Sequence, residues 1–268
     1  MPFIQAGSIR IYYEMTGNGH RLLFINGTGG DLRNPIGPMQ SPLAKQFNLL
    51  AYDQRGLGQT DKPAGPYTMR DYADDAARLL NAVGWQSCHV LGYSFGGMVA
   101  QEFAIRHPGR VDRLVLCVTS PGGAGGASYP LHELAKLGPE ERARRAMALA
   151  DLRRTPEWQA AHPEEVSQFI GQSLAAERQH ADEPGWAEGR ARQLDARRGH
   201  DTFDRLDEIR APTLICGGRY DGIALAATQE RMAARIPGAE LKIFEGGHLF
   251  VMQDRSAYPA IMDWLKRD

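Results

Sequence analysis

A G-x-S-x-G pentapeptide at residues 92–96 follows a short apolar run and precedes a helical pattern of small residues. Glycines two positions either side of Ser94 permit a sharp turn from a strand into a helix, which larger side chains would block. Such a turn would lift the Ser94 hydroxyl out of a sheet, at the positive end of a helix, where a histidine from elsewhere in the chain can reach it. The pattern predicts a nucleophilic serine, which needs a base, an orienting acid and oxyanion donors from the rest of the chain.

Apolar runs of strand length alternate with helical segments along most of the chain. Two early runs, 9–14 and 22–26, are separated only by turn residues and predict an antiparallel start. Buried parallel strands are predicted from the later runs at 48–53, 87–92, 113–119, 213–217 and 240–244. Helices are predicted at 68–83, which opens with a capping-box pattern, and at 95–107, 225–236 and 257–266. This alternation favours an α/β fold in which helices cover both faces of a mostly parallel sheet.

One long segment, 122–204, contains no strand-like run. Arg, Ala, Glu and Gln dominate it, and its apolar residues recur at loose helical spacing. We therefore expect an all-helical insertion between two strands, with residues 1–121 and 205–268 forming the core domain. The arginines of this segment are nearly balanced by acidic residues, so each is expected on a solvated face.

Charge and apolar patterning exclude several classes of protein. The 268 residues include 31 Lys and Arg against 32 Asp and Glu, so nothing attracts nucleic acid or an anionic membrane. No apolar run approaches the roughly 18 residues of a membrane span, and the N-terminus lacks a signal-peptide pattern. The three cysteines, Cys88, Cys117 and Cys216, lie in apolar runs and are expected as buried thiols rather than a disulfide or zinc site. We expect a cytoplasmic protein without a bound metal; the sequence leaves its oligomeric state open.

Two groups placed after later strands supply what Ser94 lacks. A serine hydroxyl is a poor nucleophile until a base takes its proton, and the base needs a third group that fixes its tautomer and stabilises its charged form. Asp221 lies just past the predicted strand 213–217, and His248 lies between the last strand and the last helix. The carboxyl ends of parallel strands share one edge of a sheet, so these groups would meet Ser94 there. We predict a catalytic triad of Ser94, His248 and Asp221.

Backbone N–H groups aimed at a tetrahedral oxygen would complete such a site. One is expected from Phe95, the residue after the serine, and the other from the glycine-rich loop 26–31. We assign the second donor to Thr28, with Gly29 as the next choice. The loop lacks the Gly-Lys-Ser/Thr ending and the G-x-G-x-x-G spacing of nucleotide sites, so no nucleotide cofactor is expected.

These residues resemble the α/β-hydrolase superfamily along essentially the whole chain. The similarity rests on residues 92–97, 218–221 and 247–248, and on 53–60, which is similar to the family's D-x-R-G-x-G-x-S turn. The resemblance implies a mostly parallel eight-stranded sheet and no cofactor. It makes the segment 122–204 a helical lid that roofs the active site and sets substrate choice. It gives the 53–60 stretch a structural role behind the oxyanion loop.

Three positions separate the chain from particular members of the superfamily. Asn26-Gly27 stands in place of the common His-Gly, as in members similar to 3-oxoadipate enol-lactonase, and should spare catalysis because the donor is a backbone N–H. Leu249 stands where carbon–carbon bond hydrolases of aromatic degradation typically carry Trp, which disfavours that activity. Ser94 argues against haloalkane dehalogenases and epoxide hydrolases, which use a carboxylate.

The resemblance and the predicted triad imply hydrolysis of a carboxylic ester or lactone of a small organic substrate through an acyl-enzyme. The alternative enzyme is a carbon–carbon bond hydrolase of a diketone. From a different class, a receptor-like ligand-binding member with little turnover is disfavoured, since such members typically lose a triad residue. The candidate substrate contacts are Gly29, Tyr93, Trp158, Trp186 and Leu249, with packing the competing explanation for the aromatic residues.

Overall fold

An eight-stranded sheet runs through the centre of the computed structural model, which describes residues 2–267. The strands are β1 (Phe3–Ala6), β2 (Ile9–Thr16), β3 (Arg21–Ile25), β4 (Asn48–Tyr52), β5 (Cys88–Tyr93), β6 (Val111–Cys117), β7 (Thr213–Gly218) and β8 (Glu240–Phe244). Their spatial order is β1-β2-β4-β3-β5-β6-β7-β8. Strands β3 to β8 run parallel, whereas β2 is antiparallel to both β1 and β4. The predicted α/β class with a mostly parallel sheet is confirmed.

The start of the sheet differs from the prediction in its pairing. β2 is antiparallel, as expected, but its partner is β4 rather than β3, with Tyr13 opposite Tyr52. β3 lies between β4 and β5 because four of its five residues are buried, as an interior parallel strand requires. The edge strand β1 has only four residues, too few to show a pattern in the sequence.

Helices cover both faces of this sheet. In chain order, the helices of the described residues are α1 (Met69–Ala82), α2 (Phe95–Arg106), α3 (Pro139–Ala150), α4 (Pro156–Ala161), α5 (Pro163–Arg178), α6 (Trp186–Arg198), α7 (Ala226–Arg235), α8 (Phe250–Gln253) and α9 (Ala257–Leu265). Apolar side chains of α1, α2 and α7 form the core on one face, and those of α8 and α9 form the core on the other. α1 begins at the predicted capping box, in which the Asp71 N–H donates to Thr68 Oγ1 at 3.2 Å and the Thr68 N–H donates to the Asp71 carboxylate at 2.8 Å.

The chain between β6 and β7 forms the helices α3 to α6. Two of them, α3 and α5, bury a small apolar cluster of their own that includes Met147 and Ile170. That this segment acts as a lid over the active site stays a prediction. Among residues 2–267, no helix has both the length and the apolar character needed to cross a membrane.

The cysteines are buried thiols, as predicted. Cys88, Cys117 and Cys216 lie on the central strands β5, β6 and β7, and all three are free. Burial raises the pKa of the Cys88 thiol to about 12. A thiol in this environment stays protonated and packs as a small apolar group.

The backbone packs tightly where β5 passes into α2. A Cβ atom on Gly96 would lie 1.9 Å from the carbonyl oxygen of Ile25 in β3, and one on Gly92 would lie 2.4 Å from the carbonyl oxygen of Gly96. Real Cβ atoms do not make contacts this short, so only glycine lets α2 approach β3 so closely. The turn between β5 and α2 leaves Ser94 at a φ of 54°, in the left-handed region that residues with a side chain rarely adopt.

Replacing Gly96 with Ala should force α2 away from β3, because the clashing atoms belong to the backbone and cannot rotate away. We expect the free energy of unfolding to fall by about 3 kcal/mol or more, as measured by urea denaturation. Gly171→Ala is the matched control, since Gly171 lies in α5 with no atom within 4 Å of an added Cβ. That variant should gain up to about 1 kcal/mol. Equal stability of the two variants would contradict the packing described here.

Candidate active site

Ser94 lies at the junction of β5 and α2, at the carboxyl edge of the parallel strands. Its backbone N–H donates to the carbonyl oxygen of Cys117 in β6 at 2.8 Å, which fixes the turn on the neighbouring strand. The first N–H groups of α2, beginning with Phe95, have no carbonyl partner one turn earlier, so the positive end of the helix lies beside the serine. Ser94 is only 6% exposed, which shields its hydroxyl from bulk water.

The side chains of Ser94, His248 and Asp221 form one chain of hydrogen bonds. His248 Nε2 lies 2.9 Å from Ser94 Oγ, and His248 Nδ1 lies 2.8 Å from Asp221 Oδ2. With a proton on Nδ1 facing the carboxylate, the Nε2 lone pair can accept the proton of the serine hydroxyl. The structure thus brings together the three residues that the sequence predicts, although 154 positions separate the serine from the histidine.

Asp221 is buried and held by the backbone that follows β7. Its Oδ1 atom accepts hydrogen bonds from the N–H groups of Ile223 at 2.7 Å and Ala224 at 3.0 Å. The other oxygen, Oδ2, remains for His248. Because a buried carboxylate without donors is costly, these bonds both stabilise its charge and fix its direction.

The loop that carries His248 is fixed from three sides. The His248 N–H donates to the carbonyl oxygen of Ala150, at the end of α3, at 2.6 Å. Tyr93, the residue before the nucleophile, donates its hydroxyl to the His248 carbonyl oxygen at 2.5 Å. Burial raises the pKa of Tyr93 well above its usual value, so this hydroxyl keeps its proton. The Gly247 N–H donates to Gln253 Oε1 at 2.7 Å. The histidine is therefore tied to the strand of the nucleophile and to the inserted helices.

The glycine-rich loop after β3 lies against Ser94. A Cβ atom on Gly27 would lie 3.4 Å from Ser94 Cβ, so the loop backbone passes directly beside the serine. The Gly29 N–H, the second choice for an oxyanion donor, already donates to Oε1 of Gln193 in α6 at 2.8 Å. This N–H group is therefore engaged within the fold. Thr28 and Phe95 stay the predicted donors.

Residues 53–60 support this loop from behind. Gln54 Nε2 donates to the carbonyl oxygen of Asn26 at 2.8 Å, and Asp53 Oδ1 accepts from the Leu32 N–H at 2.7 Å. Burial raises the pKa of Asp53 to about 6. These contacts agree with the structural role that the resemblance implies for the stretch.

Comparison with known proteins now decides the family. A family model described as the alpha/beta hydrolase fold matches residues 20–254. The chain belongs to this family. It is 31% identical over 255 residues to 2-hydroxymuconate semialdehyde hydrolase from Pseudomonas putida, covering 91% of this chain and 86% of the relative. It is 30% identical over 256 residues to poly(3-hydroxyalkanoate) depolymerase from Ectopseudomonas oleovorans, covering 92% of this chain and 84% of the relative.

The fold of this α/β hydrolase is also found in solved structures. An enol-lactonase from Burkholderia xenovorans LB400 superposes with a TM-score of 0.78 over 99% of this chain and 100% of its own. The two chains are 22% identical, so the similarity shows a shared architecture.

The remaining predicted substrate contacts of this α/β hydrolase lie in different surroundings. Trp158 stacks on His162 with ring centroids 4.2 Å apart and packs against the apolar cluster of α3 and α5. Trp186 begins α6, and the Arg190 guanidinium lies 4.7 Å from its ring centroid. Leu249, next to the catalytic histidine candidate, is 46% exposed. Contact with a substrate stays a prediction for these residues and for Tyr93 and Gly29.

One group of metal-ligand side chains lies at the opposite end of β5 from Ser94. The group consists of His20, His89 and Asp112. Each offers one possible ligand atom, and these three atoms all lie within 4.8 Å of one another. The rings of His20 and His89 are stacked, however, with centroids 3.9 Å apart and 24° between their planes. An imidazole lone pair lies in the plane of its ring, so two stacked rings do not direct their lone pairs at one ion. The arrangement does not fit a metal site.

Two buried side chains of α6 near the active site were not predicted from the sequence. Gln193 and Arg197 are 1% and 7% exposed, and they hydrogen-bond to Gly29 and Thr28. The expectation that the arginines of the insertion lie on solvated faces is therefore wrong for Arg197. The sequence of α6 is polar all round, so no apolar stripe marks the face that becomes buried.

His200, just after α6, is a buried neutral base. Its Nε2 donates to the carbonyl oxygen of Ser120 at 3.1 Å, and burial lowers its pKa from 6.5 to about 3. Unfolding restores the ordinary pKa, so between these values the unfolded chain binds a proton that the folded chain does not. The stability associated with a neutral His200 is present above pH 6.5 and is lost as the pH falls.

The difference in the pKa of His200 between the folded and unfolded chain should therefore lower the free energy of unfolding by about 2 kcal/mol when the pH is reduced from 7 to 5. Urea denaturation at a series of pH values measures this slope. His200→Gln should remove that part of the slope, because glutamine does not titrate. The control is His132→Gln, at a side chain of the insertion that is 33% exposed. A slope that His200→Gln leaves unchanged would show that this histidine is not a buried neutral base.

Proposed function

We propose that this α/β hydrolase cleaves a carboxylic ester or lactone of a small organic substrate through a covalent acyl-enzyme. The observation that carries the proposal is the hydrogen-bonded chain from Ser94 Oγ through His248 to Asp221, with contacts of 2.9 and 2.8 Å. Such a chain activates a serine hydroxyl toward a carbonyl carbon.

In the first half of the reaction, Ser94 Oγ attacks the substrate carbonyl carbon while His248 Nε2 takes the hydroxyl proton. Asp221 stabilises the imidazolium that forms. The negative charge moves to the carbonyl oxygen, where the N–H groups of Phe95 and Thr28 would bind it. Preorganised donors of this kind contribute about 10²–10³ in rate each. Collapse of the intermediate expels the alkoxide, which takes the proton back from His248 as the acyl-serine ester forms.

In the second half, water replaces the leaving group beside His248. His248 accepts a proton from the water molecule while the water oxygen attacks the carbonyl carbon of the acyl-serine. His248 then returns a proton to Ser94 Oγ when the carboxylic acid leaves. Each step uses only water and groups of this chain.

A second candidate function is the carbon–carbon bond hydrolysis expected as the alternative from the sequence. The similarity to the Pseudomonas putida hydrolase of 2-hydroxymuconate semialdehyde supports it. Leu249 stands in place of the Trp that is typical of such enzymes, and this disfavours carbon–carbon bond hydrolysis. A panel of p-nitrophenyl esters, simple lactones and a vinylogous diketone separates the two, since the reaction with the highest kcat/KM identifies the substrate class.

Ser94→Ala should lower the kcat for p-nitrophenyl butyrate by at least about 10⁴-fold, because no other group takes over the nucleophilic attack. A serine-directed fluorophosphonate should label the wild type at Ser94 and leave the variant unlabelled by intact-mass analysis. Ser167→Ala, at an exposed position of α5, is the matched control and should keep both turnover and labelling. Undiminished turnover in Ser94→Ala would refute the acyl-enzyme mechanism.

Asp221→Asn should lower kcat by about 10³–10⁴-fold with little change in KM. The asparagine oxygen can keep the two backbone N–H donors, which turns its NH₂ group toward His248 Nδ1. The histidine then carries its proton on Nε2 and cannot accept the one from Ser94. Steady-state kinetics and the rate of fluorophosphonate labelling check this, with thermal unfolding to confirm that the variant is folded. A variant with wild-type kcat would rule out the assigned role of Asp221.

A further inference from the structure

The guanidinium of Arg197 is buried beside the active site without an acidic partner. Its hydrogen bonds go to Thr28 Oγ1 at 3.3 Å, Ser128 Oγ at 2.7 Å and the carbonyl oxygen of Tyr129 at 3.2 Å, all of them neutral oxygens. Within residues 2–267, no carboxylate oxygen lies within 4 Å of it, and the negative charge of Asp221 acts on it from beyond that distance. Burial lowers the pKa of Arg197 to about 10, and the charge of Asp221 offsets only part of that fall.

Another buried arginine of the same chain shows the usual arrangement. Arg55 places its Nε and Nη2 atoms 2.6 and 2.8 Å from the two carboxylate oxygens of Asp75, so its charge is paired within the fold. The neutral partners of Arg197 orient its guanidinium and leave its charge available to a ligand.

A cavity of about 100 Å³ adjoins Arg197. Among the described residues, those that line it include no Asp or Glu. The cavity holds about three water-sized groups, enough for a carboxylate and its neighbouring carbon.

The cavity lies near the proposed reacting centre. Its wall includes Met98, one turn of α2 beyond Ser94. Thr28, which accepts from Arg197, follows Gly27 in the loop beside the serine. A substrate whose carbonyl carbon lies at Ser94 could extend its acyl chain past Met98 into this cavity.

We propose that Arg197 binds a carboxylate on the acyl chain, so that this enzyme prefers half-esters of short dicarboxylic acids, or lactones bearing a carboxylate, over neutral esters. The proposal rests on the serine-hydrolase function proposed above. A guanidinium binds a carboxylate through two parallel hydrogen bonds, and in a site shielded from water this pairing is strong enough to select the anionic substrate.

The test compares p-nitrophenyl esters matched in length, the hemisuccinate against the butyrate and the hemiglutarate against the valerate. Wild type should prefer one anionic ester in kcat/KM by at least about tenfold over its neutral partner. Arg197→Gln should lower the anionic value by at least about 30-fold more than the neutral value, mainly through KM. Arg197→Lys should restore part of the preference because it keeps the charge without the planar fork.

The matched control is Arg192→Gln, which removes the same charge from α6 at a side chain that donates to the carbonyl oxygen of Pro63 at 3.1 Å. It should keep the preference for the anionic ester. A preference for the neutral esters in wild type, or an equal loss on both esters in Arg197→Gln, would overturn the proposal and leave Arg197 a structural residue.

A binding measurement separates this proposal from the proposed function. Monomethyl glutarate should raise the Tm of Ser94→Ala by mass action, whereas methyl valerate should not, and Arg197→Gln added to Ser94→Ala should abolish the rise. Failure of the serine mechanism would appear as turnover that survives Ser94→Ala, with this Tm difference intact. Equal Tm shifts with the two compounds, or none with either, would refute carboxylate recognition by Arg197.

Discussion

The contact between Gly96 and the carbonyl oxygen of Ile25 sets the geometry on which the candidate site depends. The absence of a side chain at Gly96 lets the first turn of α2 lie against the end of β3, and the glycine-rich loop begins where β3 ends. One backbone contact therefore positions both the nucleophile and the loop expected to bind the oxyanion. The φ of 54° at Ser94 is maintained by this packing, which leaves its hydroxyl free to face His248.

The helices inserted between β6 and β7 are joined to both halves of the site. The end of α3 accepts the His248 N–H through the Ala150 carbonyl oxygen, and α6 occupies the Gly29 N–H through Gln193. A shift of these helices would move the base and the oxyanion loop together. The inserted helices and the candidate site on the sheet are therefore linked directly by hydrogen bonds.

The sequence predicts the α/β class and the three triad residues because both depend on local patterns. Glycines around Ser94 specify the turn, and a parallel sheet brings the ends of its strands to one edge, which places Asp221 and His248 nearby. The pairing of β2 with β4 was missed because it depends on which strands become neighbours, and no local pattern encodes that. The bond from Gly29 to Gln193 spans 164 positions and carries no sequence signature.

Arg197 shows why the chemistry of a binding pocket is harder to predict than its catalytic centre. Its helix has no apolar face, so the burial of this one arginine follows only from how α6 lies over the loop that contains Thr28. An unpaired buried cation lowers stability, whereas Arg55 offsets the same cost with Asp75. Perturbed charges of this kind concentrate at functional sites, where a ligand supplies the missing partner. In the function proposed above, the sheet supplies the reaction, and one buried charge on an inserted helix selects the substrate.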